Sequence, residues 1–103
     1  MEPLDLPVAC SLTAAEQSER AAEFRELTRR ALADRRREDG RVVLSFRARP
    51  GVAEQVEDLA RRERECCPFL EISVERGEGL VALSIGARPD AAPVLDAFYE
   101  LAG

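Results

Sequence analysis

Histidine and lysine are both missing from the 103 residues. Without histidine there is no Ser-His or Cys-His catalytic pair and no imidazole metal ligand. Without lysine there is no Schiff-base or lysine-base chemistry. All fifteen basic residues are therefore Arg, and any chemistry falls to Cys, Asp, Glu, Arg or the single Tyr99. The chain opens on an acidic stretch with no apolar core region, so no signal peptide is expected. No apolar run approaches the length of a transmembrane helix. A cytoplasmic location follows as an expectation, and there three cysteines are expected to stay reduced.

The composition that remains is globular. Apolar residues make up 46% and charged residues 34%, which suits one packed domain of this length. The net charge of −5 disfavours non-specific binding to nucleic acid or to an anionic membrane.

Periodicity sets out the elements. Leu4 to Leu12, interrupted by Pro7, reads as an edge strand or extended arm. Thr13 with Glu16 forms a capping-box pattern. Ala21, Phe24, Leu27, Thr28, Ala31 and Leu32 recur at three- and four-residue spacing, which predicts a helix from Ala14 to about Arg37, stopped by Gly40. Arg35-Arg36-Arg37 then reads as a solvated helix end. Residues 41–49 alternate through Val42, Leu44, Phe46 and Ala48, which predicts a strand. A helix is predicted from Val52 to about Glu65, with Val56, Leu59 and Ala60 on its apolar face. Pro68 ends it, because the residue before a proline is driven from helical geometry. Strands follow around 70–76 and 80–86 with a turn at 76–79, and Asp90 is expected to cap a final helix from Ala91 to Leu101.

The expected order is (β)-α-β-α-β-β-α. It implies a single α+β domain, an open-faced ferredoxin-like sandwich or variant, with helices on one face of a mainly antiparallel sheet. Phe46, Leu59, Ile72, Leu83 and Phe98 are expected in one core.

One segment carries chemistry: Glu63-Arg64-Glu65-Cys66-Cys67-Pro68-Phe69. Adjacent cysteines cannot form an ordinary disulfide with each other, since their α-carbons stand about 3.8 Å apart. They can present two sulfurs to one soft ion, and thiolates select Zn(II), Cu(I), Hg(II) or As(III). The bland alternative is that both fill space, as buried cysteines often do. Redox catalysis is the least favoured reading, because a helix C-terminus opposes a thiolate. Arg64 and its neighbours Arg61 and Arg62 could offset that by folding toward the sulfurs, while Phe69 leads back into the core. Cys10 is the third sulfur, placed 56 residues before Cys66, and is a candidate third ligand.

The E-R-x-C-C-P-F run, after a short helix and before a strand, resembles a signature of small bacterial proteins of unassigned function. Those proteins also carry a Cys ahead of a long charged helix, as Cys10 is here. The vicinal pair is similar to the cysteines by which mercury-handling proteins pass Hg(II) between thiols. Two functions are weighed against each other. One is a thiol protein that binds or senses a soft metal or metalloid through Cys66, Cys67 and Cys10. The other is a non-enzymatic interaction domain that homodimerises through an uncovered sheet face bearing Ser45, Arg47, Glu71, Ser73 and Ser84.

Overall fold

The computed structural model describes the backbone of residues 14–103 and the side chains from residue 18 onward. The predicted N-terminal strand and Thr13 cap, together with Cys10, lie outside the described residues. Three helices and four strands follow in the order α1 (Ala14–Ala31), β1 (Leu32–Glu38), β2 (Arg41–Arg47), α2 (Val52–Cys66), β3 (Glu71–Arg76), β4 (Leu80–Gly86) and α3 (Ala92–Ala102). The strands form one antiparallel sheet in the order β1-β2-β4-β3. β4 lies between β2 and β3, so the strands joined through α2 run in the same direction without pairing. The three strands expected from alternation thus share one sheet, and helices pack on it.

The main correction concerns residues 32–38. The long predicted helix stops at Ala31, and the next seven residues form a strand. The described order is therefore α-β-β-α-β-β-α, not the ferredoxin-like order expected. Asp39-Gly40 closes a tight hairpin between β1 and β2, in which Gly40 has a φ of 77°, a value that side-chain-bearing residues avoid.

Register explains how so polar a segment belongs in the sheet. Arg35 pairs with Leu44 and Arg37 with Val42, so both arginines sit on the buried face. Helix α3 satisfies them there. Arg35 Nη1 donates to the Tyr99 carbonyl at 2.6 Å, and its guanidinium lies 4.0 Å from the Tyr99 ring centroid. Arg37 Nε meets Asp96 Oδ1 at 2.9 Å. Two residues of the supposed solvated helix end therefore pin α3 to the sheet edge.

The core forms where the alternating faces predicted it. Val42, Leu44 and Phe46 of β2 and Val81, Leu83 and Ile85 of β4 are buried together with Ile72 of β3 and Leu27, Val56 and Leu59 of the helices. Phe98 is half-buried against them and meets Phe24 edge-on at 5.8 Å. Full burial of one such aliphatic or Phe side chain contributes about 1.5–3 kcal/mol. The opposite positions of the sheet, such as Ser45, Arg47, Glu71 and Ser73, are exposed or half-buried. A smaller expectation changes: Asp90 makes no cap hydrogen bond and pairs with Arg88 in a 3-10 turn ahead of α3. On α1, Glu26 pairs with Arg29, and Arg30 reaches Gln55 on α2.

Candidate metal centre

Helix α2 is amphipathic, and Val52, Val56, Leu59, Ala60 and Cys66 are its buried residues. Its last turn is closed by the Cys67 amide donating to the Glu63 carbonyl at 2.7 Å. Pro68 then forces the chain out: Cys67 has φ −128° and ψ 74°, well away from helical values. In an unbroken helix neighbouring side chains point about 100° apart and do not face each other. The exit at Cys67 removes that separation and brings the two sulfurs to 3.5 Å.

Both cysteines are buried, Cys66 at 8% exposure and Cys67 at 1%. The sulfurs are therefore convergent, which favours a site, and enclosed, which also suits packing. Glu63 joins them. It lies three residues before Cys66 and four before Cys67, on the same helical face. Its Oε1 is 3.9 Å from the Cys67 sulfur. The donor atoms of Glu63, Cys66 and Cys67 all lie within 4.8 Å of one another, so the group could hold a metal ion. The spacing E-x-x-C-C carried this third donor in the sequence, yet sequence reasoning named only cysteines as ligands.

The cation that serves the site comes from another helix. Arg20 Nη1 on α1 meets Glu63 Oε2 at 2.6 Å, with both side chains largely shielded from solvent. Arg61, Arg62 and Arg64, which could offset the helix dipole only by folding toward the sulfurs, are engaged elsewhere. Arg61 pairs with Asp58 and Glu65, Arg62 with Glu23 and Asp58, and Arg64 donates to the Ile72 carbonyl at 3.2 Å. Phe69 is half-buried and packs against the core as expected.

The environment holds Cys67 as a thiol. Burial, and then the negative charge of Glu63, push its pKa from 9.0 up to about 11, against a smaller opposing pull from Arg20. Cys66 departs from the expectation that every cysteine stays reduced: it is disulfide-bonded. Cys67 is not its partner, since the 3.5 Å between their sulfurs far exceeds an S–S bond of about 2.05 Å.

Among the described residues, no helix is long and apolar enough to cross a membrane. Set against known proteins, the chain matches no family model, no curated protein and no solved structure.

Proposed function

We propose that the reduced protein binds one divalent thiophilic ion, with Zn(II) the best fit, through Cys66, Cys67 and Glu63. The observation that carries this reading is the 3.5 Å approach of two vicinal sulfurs beside a carboxylate held in place. Two thiolates on a tetrahedral zinc, with bonds of about 2.3 Å, stand about 3.8 Å apart. With Cys66 in its disulfide the two sulfurs already stand near that spacing, so little movement separates them from a shared ion once Cys66 is reduced.

Charge selects among the soft ions weighed above. Two thiolates and the Glu63 carboxylate, with Arg20 paired to that carboxylate, balance one divalent cation. A buried site tolerates such neutrality far better than a net charge. Cu(I) leaves the cluster negative and As(III) leaves it positive. Hg(II) has the right charge, but an oxygen donor suits borderline Zn(II) better than soft Hg(II). Cys10 remains a candidate fourth ligand.

The test is a zinc competition titration against a chromophoric chelator, on reduced wild type and on Cys66→Ser, Cys67→Ser and Glu63→Gln. Either cysteine variant is expected to lose on the order of 100-fold in affinity, because the second sulfur contact is made at high effective concentration. Glu63→Gln is expected to lose less. Equal affinity in wild type and in the doubly substituted Cys66→Ser, Cys67→Ser protein would return the cysteines to the role of core filler.

A further inference from the structure

Helices α1 and α3 leave a trough between them, away from the cysteines. Ala21 and Thr28 of α1, Leu32 just beyond it, and Ala97 and Leu101 of α3 line it, and its volume is about 1010 Å³. Thr28 spends its hydroxyl inside α1, donating to the Arg25 carbonyl at 2.9 Å, so it asks nothing polar of an occupant. The pitch of α1 divides its strip into floor and rim. At about 100° per residue, Thr28 and Ala21 fall toward the core while Arg25 and Arg29 fall outward. Burial agrees, with Ala21 and Thr28 buried and both arginines exposed. Glu100 of α3 is exposed on the facing side.

We propose that this trough docks an amphipathic helix of another protein, apolar on the face it buries and acidic on the flank that meets Arg25 and Arg29. This partner site is independent of the ion site. Charge selects the acidic flank. Arg29 is paired at the surface with Glu26, and Arg25 has no carboxylate among the described residues. Glu100 lies along the other flank, which therefore carries no acid. The chain already joins its own helices in this way, since Arg20–Glu63 and Arg62–Glu23 tie α1 to α2 beside an apolar seam.

Shape selects a helix. Ser18 to Arg29 covers about 17 Å of α1, or about three turns. A helix of that length, about 10–12 Å across and sunk to its axis, displaces about 650–950 Å³. The trough holds that much and stays open along one side, which suits an element that buries one face and leaves the other in water. A small amphiphile needs enclosure over most of its surface, which an open trough does not give. A second copy of this chain fits poorly. A two-fold axis centred on the α1 strip sets Arg25 against its own image, and like charges repel there.

The probe is a labelled synthetic peptide of about 15 residues, cross-linked on its outer face to hold it helical. It carries Leu and Ala at i, i+3, i+4 and i+7, with Glu on one flank and Gln on the other. Fluorescence anisotropy with the full chain is expected to show saturable binding that weakens as salt is raised. Arg25→Glu is expected to weaken it about tenfold, and a peptide with Lys in place of Glu is expected to prefer Arg25→Glu over wild type. Ala97→Leu, which fills the trough, is expected to abolish binding. Should that variant fail to fold, Arg25→Glu carries the test, because its side chain is exposed. No binding to wild type overturns the proposal, as does equal binding to wild type and Arg25→Glu. Dodecanoate bound by wild type and lost in Arg25→Glu makes the occupant a small amphiphile and overturns the helix. A wild-type dimer in sedimentation that Ala97→Leu dissolves makes the occupant a second copy and overturns it likewise.

Discussion

Arg20 and Glu63 meet at 2.6 Å across 43 residues of sequence, and that bridge ties α1 to the turn of α2 that carries the cysteines. It uses only one carboxylate oxygen. The other faces Cys67, so the bridge sets the direction of the candidate third ligand as well as neutralising it.

Arg20→Ala should therefore be felt twice. It leaves a shielded carboxylate without its cation, which costs about 1–3 kcal/mol of stability. It also removes the one group that pulls the Cys67 pKa down, so alkylation of that thiol should shift to still higher pH. A urea melt and an alkylation profile check both effects. A stability loss below about 0.5 kcal/mol would show the bridge to be no stronger than an ordinary surface pair.

The alkaline limb of stability offers a second check. The Cys67 thiol holds its proton to about 11 in the folded chain, against 9.0 ordinarily. A group whose folded pKa is raised contributes stability that is complete below the unfolded value and lost as pH climbs through the folded one. Melting temperature should accordingly fall between pH 9 and 11, and Cys67→Ala should flatten that decline. Parallel curves for the two proteins would contradict the assignment of burial and Glu63 as the causes.

Leu59→Ala tests the face of α2. Leu59 is 3% exposed, one turn before Glu63. Truncating it should cost about 2–5 kcal/mol in a urea melt, and a loss below about 1 kcal/mol would mean that the buried face is misassigned.

These residues also show what the sequence can and cannot disclose. Leu59, Phe46, Leu83 and Ile72 were legible because an apolar residue recurring at the period of its element has only the core to face. Residues 32–38 were not legible as a strand. Their inward positions are Arg35 and Arg37, and an arginine stabilised by a carbonyl and an aromatic ring on a distant helix leaves no local trace. The Asp39-Gly40 pair was the available signal, since that dipeptide favours a tight hairpin, but Gly40 serves a helix end equally well. At the site, adjacency and Pro68 disclosed the sulfur pair. Glu63 was visible only through its spacing from the cysteines. Arg20 was beyond reach, because nothing local links it to residue 63.

Cobalt is the most direct probe of the central claim, because Co(II) occupies zinc sites and reports thiolate ligands through a sulfur-to-metal charge-transfer absorption that zinc lacks. Titrated into the reduced full-length chain, Co(II) is expected to produce that absorption and to saturate at one ion per chain. Zn(II) should then bleach it, and the Cys66→Ser, Cys67→Ser protein should never develop it. A reduced wild type that shows no such absorption, or a doubly substituted protein that shows the same one, would contradict an ion site built on Cys66 and Cys67.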